Sequence, residues 1–162
     1  MAKTSSYAIG LDYGTNSVRC LVVRCEDGAE IGTHVFAYPH GDRGVILDPK
    51  QPDLARQHPA DYLVGAEASL KKAVAAARQN DKNFSPDKVV GLGVDTTGST
   101  PMPVDARGRS LADTAKFARN PNAMAWLWKD HTSTTEAAAI TRRAGQERPE
   151  FLKKCGGVYS SE

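Results

Sequence analysis

A short turn between two apolar runs carries the residues best suited to chemistry in this sequence. Residues 7–23 read YAIGLDYGTNSVRCLVV, and Gly14, Thr15 and Asn16 form the turn. Gly14 has no Cβ, so a ligand can approach the backbone closely there. Successive amides at these three positions, together with the Thr15 hydroxyl, predict a concavity that binds an anion such as phosphate.

Charged residues flank this turn on both sides. Asp12 ends the first apolar run, and a carboxylate there suits a hydrated Mg²⁺, which favours one or two carboxylates plus phosphate oxygens. Arg19 adds a fixed positive charge near the start of the second run. The alternative is a tight hairpin turn without a ligand, since Asp and Gly are common in such turns. The sequence has neither a Gly-x-x-x-x-Gly-Lys-Ser loop nor a Gly-x-Gly-x-x-Gly loop, so the common nucleotide fingerprints are absent.

A second stretch repeats the pattern of an apolar run that ends in an acid. Residues 93–105 read GVDTTGSTPMPVD, in which Asp95 is followed by a cluster of Thr, Gly and Ser. Small hydroxyl residues at the carboxyl end of a strand offer hydrogen-bond donors to a bound polyol. A Thr- and Ser-rich loop that caps a helix is the competing interpretation.

A third stretch combines indole rings with charged side chains. Residues 120–132 read NPNAMAWLWKDHT. An indole gives a flat apolar wall for the C–H face of a sugar, and Lys129 and Asp130 are charged partners for its hydroxyls. Trp126 and Trp128 are two positions apart, so in a strand they would share a face. For Trp126, a place in the core is the alternative to a ligand contact.

Composition and charge indicate an ordinary single domain. The chain has 162 residues and a net charge of +2, which gives no general electrostatic reason to bind nucleic acid or a membrane. The first residues lack the apolar core of a signal peptide, and no stretch approaches the roughly 20 apolar residues of a spanning helix, so a cytoplasmic protein is predicted. Cys20, Cys25 and Cys155 show no metal-site spacing and are predicted to be reduced, mostly buried thiols.

The apolar patterns predict a mixed α/β layer. Strands are predicted at 7–12, 18–24, 30–37, 89–95 and 100–104, and helices at 61–78 and 133–143. The nearly continuous apolar run at 89–95 predicts a strand that is central in its sheet and covered on both faces. Residues 38–59 are rich in Pro, Gly and alternating charges, so they are predicted to form an irregular surface segment. Ser133 and Glu136 have the spacing of a capping box.

Together, these stretches resemble the FGGY carbohydrate kinases of the actin-like and hexokinase-like ATPase superfamily. GLDYGTNSVRCLVV matches the first phosphate motif of that family, and GVDTTGSTPMPVD matches its substrate loop. NPNAMAWLWKDHT and GGVYSSE are typical of the branch that phosphorylates L-ribulose. The resemblance covers essentially the whole chain. It implies an α/β fold of the ribonuclease H-like type, a mixed sheet with flanking helices.

By position, the resemblance implies two groups of site residues. The phosphate and Mg²⁺ side comprises Asp12, Gly14, Thr15, Asn16 and Arg19. The sugar side comprises Gly98, Ser99, Trp128, Lys129 and Asp130. The implied cofactors are ATP and Mg²⁺, and the implied substrate is L-ribulose or a related ketopentose, phosphorylated on its 5-hydroxyl in arabinose catabolism. Relatives that act on xylulose carry Gln-Met-His-Gly where this chain has Thr-Gly-Ser-Thr at 97–100, which favours ribulose over xylulose.

The FGGY kinases are two-domain enzymes, so the resemblance implies that residues 1–162 are part of an amino-terminal domain. The general base, an Asp, is expected beyond Glu162, and neither Asp95 nor Asp130 corresponds to it. The chain alone is therefore expected to be inactive, because phosphoryl transfer depends on that base. Apolar surface normally covered by later elements is expected to be bare and to favour a homo-oligomer.

Three other functions stay open on the sequence. A kinase for another ketopentose, such as xylulose, fits the same motifs. A nuclease of the ribonuclease H-like class would use Asp12 and Asp95 to hold two metal ions, although the Gly-Thr turn has no role in that chemistry. A non-catalytic module that binds a sugar or a phosphate, or that serves in assembly, is the third.

Overall fold

The computed structural model describes residues 5–162, which form two sheets and three helices. The strands are β1 Tyr7–Tyr13, β2 Ser17–Arg24, β3 Glu30–Ala37, β4 Ile46–Asp48, β5 Gln51–Gln57, β6 Val89–Thr96 and β7 Ala125–Trp126. The helices are α1 Pro59–Asn80, α2 Thr134–Glu147 and α3 Pro149–Leu152. Among these residues, no helix has the length and apolar character needed to cross a membrane.

The larger sheet positions the predicted phosphate turn. Its strand order is β3-β2-β1-β6, in which β1, β2 and β3 form an antiparallel meander and β6 lies parallel to β1. Side chains alternate between the two faces along a strand, so Tyr7, Ile9 and Leu11 turn to one face, where they are buried. Asp12 belongs to the other face and is exposed. The turn at 14–16 joins β1 to β2 at the carboxyl end of β1.

Helix α1 packs closely on β2 and β3, and small residues make this possible. Pro59 at its first position and the His58 side chain, which accepts from the Ala60 amide at 3.2 Å, mark its start. At Gly32 of β3, an added Cβ would lie 2.8 Å from the Ala77 amide nitrogen. The predicted helix at 61–78 is thus confirmed, and the observed helix extends slightly beyond the predicted bounds at both ends.

The predicted irregular segment at 38–59 is wrong, because it contains two strands of a second sheet with the order β4-β5-β7. Four consecutive residues of β5, 54–57, are buried although Arg56 and Gln57 are polar. Arg56 forms an ion pair with Asp130, and its guanidinium carbon lies 3.6 Å from the centre of the Trp126 ring. These polar residues can be buried because they have interaction partners in the interior. Their polar character is the reason that the sequence pattern did not predict a strand here.

Two strand predictions also need correction. Strand β6 lies at the edge of its sheet, and Val90, Leu92 and Val94 are 72%, 53% and 58% exposed, so it is neither central nor covered. No strand forms at 100–104, where only Val104 makes a single bridge, to Ser110. An apolar run indicates that a strand can be buried, but it does not show which other elements pack against that strand.

Helix α2 forms where the capping box predicted it, although the cap itself differs. Ser133 precedes the helix, but its hydroxyl donates to the Ser161 carbonyl at 2.6 Å instead of capping the helix. Helix α2 also continues past the predicted end at 143 to Glu147. Of the three cysteines only Cys20 is buried, so the prediction of mostly buried thiols is wrong.

Candidate functional site

The turn at 14–16 has two amides that find no acceptor among the described residues. The Gly14 amide donates to the Ser17 carbonyl at 2.9 Å and closes the turn. Within residues 5–162, no acceptor lies within hydrogen-bond distance of the amide nitrogens of Thr15 and Asn16. The predicted anion-binding concavity therefore rests on two amides, with the Gly14 amide occupied inside the turn. Asn16 is also anchored by its side chain, which donates to the Arg43 carbonyl at 2.6 Å.

Three charged residues form a row beside the turn. Asp12 is the register partner of Arg19 on β2 and of Asp95 on β6, so their side chains leave the same face of the sheet. All three are exposed, and within the described part of the chain none makes an ion pair. Gly10 and Gly93, which are also register partners, make the floor of the groove that this row borders.

This row fits a cation that is shared with a ligand. In the described residues, no group of three or more His, Cys, Asp or Glu side chains could hold a metal ion alone. Within the described residues, Asp12 and Asp95 make no ion pair, and both lie near the carboxyl ends of the adjacent parallel strands β1 and β6, where the turn follows β1. Mg²⁺ keeps several waters and commonly binds through one or two carboxylates plus phosphate oxygens. The donor set present is therefore suited to Mg²⁺ that arrives with a polyphosphate.

The predicted sugar wall contacts the turn directly. The Trp128 indole nitrogen donates to the Thr15 hydroxyl oxygen at 3.1 Å, and this indole is 38% exposed. Gly98, Ser99 and Trp128 line one depression, together with Thr97 and Glu162. The Lys129 ammonium lies 5.1 Å from the centre of the Trp128 ring. The structure thus brings four of the five predicted sugar residues to the edge of the predicted phosphate turn.

Asp130 is placed differently from the other predicted sugar residues. It is 3% exposed, and its carboxylate accepts from the Ala55 amide at 2.7 Å and from the Thr132 hydroxyl at 2.6 Å. It also pairs with Arg56. These bonds hold the loop that carries Trp128 and Lys129 against β5. Strand β7 ends at Trp126, so the alternation expected for Trp126 and Trp128 does not apply, and the two indoles have different partners.

Residues that were not among the predicted site residues also line this region. Tyr13, Tyr62, Thr96 and Thr100 border a cavity that reaches Gly14 and Thr97, and the rings of Tyr13 and Tyr62 meet edge to face with centroids 6.1 Å apart. Gln57 lies behind the turn and donates to the Thr15 carbonyl at 2.7 Å. Their roles depend on contacts between distant segments, which no local pattern shows. Glu162 had a signal in GGVYSSE, but no role followed from it.

The fold is similar to that of a solved sugar kinase. The crystal structure of gluconate kinase from Lactobacillus acidophilus matches with a TM-score of 0.61 and 13% sequence identity, over 86% of this chain and 23% of that one. The predicted fold class, an α/β fold of the ribonuclease H-like type with a mixed sheet and flanking helices, is thereby confirmed. No model of a protein family matches the chain.

Similarity of sequence is more specific. Ribulokinase from Vibrio parahaemolyticus is 43% identical over 157 residues, which are 96% of this chain and 27% of that protein. Ribulokinases from Shouchella clausii and Geobacillus thermodenitrificans are each 39% identical over 96% of this chain. The resemblance that the motifs indicated is confirmed, and the chain spans only 27–28% of the length of these relatives.

Proposed function

We propose that this chain supplies the phosphate-binding and sugar-binding surfaces of an ATP-dependent kinase that phosphorylates the 5-hydroxyl of L-ribulose in arabinose catabolism. The hydrogen bond between Trp128 and Thr15 carries the proposal, because it sets the predicted sugar wall against the predicted phosphate turn. The similarity to ribulokinases over 96% of the chain supports the choice of a ketopentose. Mg²⁺ and ATP are the proposed cofactors.

The chain's own residues would bind and orient the polyphosphate. The amides of Thr15 and Asn16 have no acceptor within the described residues and would donate to phosphate oxygens. Asp12 would hold Mg²⁺, directly or through water, and Arg19 would balance negative charge on the phosphoryl group. The bound Mg·ATP supplies the phosphoryl group to be transferred. Catalysis of such a transfer consists mainly of positioning and charge stabilisation, which are the functions of these residues.

On the sugar side, an exposed ring and small residues would define the binding surface. The Trp128 indole would pack on the C–H face of the ketopentose, while the Lys129 ammonium beside it would meet a hydroxyl. Gly98 would allow close approach, and the Ser99 hydroxyl would border the sugar. The oxygens of Asp130 are already bonded within the protein, so we assign it the support of this loop. The general base would come from a region of the kinase outside the part that this chain matches.

A chimera tests the proposal. This chain would replace the matched 27% of the Vibrio parahaemolyticus ribulokinase, and ADP release would be coupled to L-ribulose, L-xylulose and D-xylulose. We expect turnover with L-ribulose, its loss in Asp12→Asn, and none from the 162-residue chain alone. Preference for D-xylulose would favour a kinase for another ketopentose. A folded chimera that binds sugar without turnover would favour a non-catalytic module.

One observation favours a nuclease as the second candidate. Asp12 and Asp95 are register partners on adjacent parallel strands, as a pair of metal-binding carboxylates requires. The net charge of +2 does not favour binding to a polyanionic duplex. Incubation of the chain with an RNA–DNA hybrid and Mg²⁺ distinguishes the two, since only the nuclease would release nucleotide fragments.

A further inference from the structure

Two side chains, one buried and one partly buried, support the turn at 14–16 through hydrogen bonds on its interior side. Gln57, the last residue of β5, is 1% exposed, and its side-chain nitrogen donates to the Thr15 carbonyl oxygen at 2.7 Å. Tyr62, in the first turn of α1, donates its hydroxyl to the side-chain oxygen of Gln57 at 2.8 Å. Helix α1, strand β5 and the turn are therefore linked by a chain of two hydrogen bonds.

The chemistry of the groups fixes the direction of this chain. The Thr15 carbonyl can only accept, so Gln57 must turn its nitrogen toward it and its oxygen toward Tyr62. Tyr62 must then donate. Burial, with a smaller contribution from Asp61, raises the pKa of Tyr62 to about 12, so the hydroxyl keeps its proton at physiological pH. The amide of Gln57 is locked in one orientation as a result.

The fixed orientation of Gln57 determines the orientation of an amide that is proposed to bind phosphate. The carbonyl of Thr15 and the N–H of Asn16 belong to one planar trans peptide, so they point in opposite directions. When Gln57 holds the oxygen, it turns the Asn16 N–H away from the interior. That N–H is one of the two amides without an acceptor in the described residues. The side chain of Thr15 is held separately by Trp128 at 3.1 Å, so both ends of this residue are fixed.

We propose that Gln57, locked by Tyr62, is a positioning residue that presents the Asn16 amide to a phosphate group. This inference rests on the proposed function of the turn. Donors that are oriented before the ligand arrives need no reorganisation when it binds. In Gln57→Glu, a carboxylate oxygen would face the Thr15 carbonyl oxygen, and two acceptors repel each other. The peptide would have to rotate, and the Asn16 N–H would lose its direction.

The test is a titration of the ¹⁵N-labelled 162-residue chain with Mg²⁺ and inorganic tripolyphosphate, followed at the amide signals of Thr15 and Asn16. We expect Gln57→Glu to raise the dissociation constant by about tenfold, equivalent to about 1.4 kcal/mol. Gln79→Glu, at an exposed position of α1, is the matched control for charge and should bind as the wild type does. Amide signals remote from the turn report whether each variant is folded.

A pH series separates positioning from a general structural effect. Once protonated, the carboxyl group that Gln57→Glu introduces can donate to the Thr15 carbonyl and restore the chain of hydrogen bonds. The affinity of Gln57→Glu relative to Gln79→Glu should therefore recover as the pH falls toward the pKa of the introduced carboxyl group. A purely structural defect would not recover in this way, and an unchanged ratio would overturn the inference.

A second pair of variants keeps the inference falsifiable if Gln57→Glu does not fold. Tyr62→Phe removes the hydroxyl that locks Gln57 and should weaken binding severalfold. Tyr38→Phe is the matched control, because Tyr38 packs on Tyr62 with ring centroids 5.8 Å apart and its buried hydroxyl has no hydrogen-bond partner within the described residues. Equal affinities for these two variants would overturn this inference but not the proposed function of the turn. A wild-type chain without shifts at Thr15 and Asn16 would overturn the proposed function as well.

Discussion

The indole nitrogen of Trp128 donates a hydrogen bond of 3.1 Å to the hydroxyl oxygen of Thr15, 113 positions away in the sequence. Because this oxygen accepts from the indole, the hydroxyl proton of Thr15 is left to be donated elsewhere. The phosphate side and the sugar side of the proposed site therefore share one residue, and a change there should affect both ligands.

Thr15→Val tests this coupling, because it keeps the shape of the side chain and removes the hydroxyl. In the chimera, we expect the KM for both L-ribulose and ATP to rise by roughly tenfold, equivalent to about 1.4 kcal/mol each. Stability should change by no more than about 0.5 kcal/mol, since Trp128 is already solvent-accessible. Thr15→Ser, which retains the hydroxyl, is the control. Unchanged KM values in Thr15→Val would show that the contact has no role in binding.

Gly32 allows α1 to approach the sheet, and its replacement should be costly. In Gly32→Ala the new Cβ would lie 2.8 Å from the Ala77 amide nitrogen, and backbone atoms of a packed helix cannot move aside easily. Overpacking of this kind costs about 1–3 kcal/mol. Gly91→Ala on β6 is the matched control, because no atom of the described residues lies within 4 Å of its new Cβ. Urea unfolding of both variants gives the comparison, and equal midpoints would refute the close approach.

The elements that sequence predicted well are those with a local cause. Helix α1 has a Pro at its start and apolar residues at helical spacing, and β3 was predicted with its observed bounds because its β-branched and aromatic residues follow a turn. Strand β5 was missed because Arg56 and Gln57 are buried by virtue of partners far along the chain. No local pattern contains those partners.

The same distinction applies to the candidate site. Asp12 and Thr15 could be predicted as site residues because spacing around a turn is a local property. The sequence did not indicate Gln57, and it did not show that Asp130 is buried. Both residues make contacts with segments more than 40 residues away in the sequence, and Gln57 and Thr15 are 42 positions apart. Motifs located the turn, and tertiary contacts decided how it is supported.

Asp81 should make stability depend on pH in the acid range. The amide of Asn83 donates to its carboxylate at 2.9 Å, as do Arg24 at 2.9 Å and Tyr7 at 3.1 Å. The hydrogen bond from Asn83 makes the largest contribution to lowering the pKa of Asp81 below its usual range. The bonds from Tyr7 and Arg24 lower this pKa further, and burial acts in the opposite direction. A carboxyl group with a lower pKa in the folded state stabilises the fold above its unfolded pKa, and this contribution is lost as the pH falls through the folded value.

Asp81→Asn should therefore be less stable than the wild type at neutral pH, with a gap that narrows below about pH 4, where the unfolded Asp protonates. Urea midpoints measured from pH 7 to the acid limit of folding give this gap directly. Asp53→Asn is the control, because the exposed Asp53 carboxylate makes no ion pair or side-chain hydrogen bond within the described residues. A gap that is constant with pH would contradict the role given to Asp81.

Strand β6 should drive self-association of the chain. Its outer edge has no partner strand among the described residues, and Val90, Leu92 and Val94 alternate along it so that they share one exposed apolar face. An unprotected edge with apolar side chains is a template for pairing with another strand, and a second copy offers the same surface. A charged side chain at the middle of this face would oppose such pairing.

Leu92→Lys should therefore lower the mass measured by light scattering after size-exclusion chromatography, at concentrations where the wild type forms dimers or larger species. Leu63→Lys is the matched control, because Leu63 is 73% exposed and lies on helix α1 and not on β6. It should associate as the wild type does, since the pairing proposed uses the edge of β6 and not general surface hydrophobicity. A wild-type chain that is monomeric throughout, or equal masses for the two variants, would show that this edge does not pair.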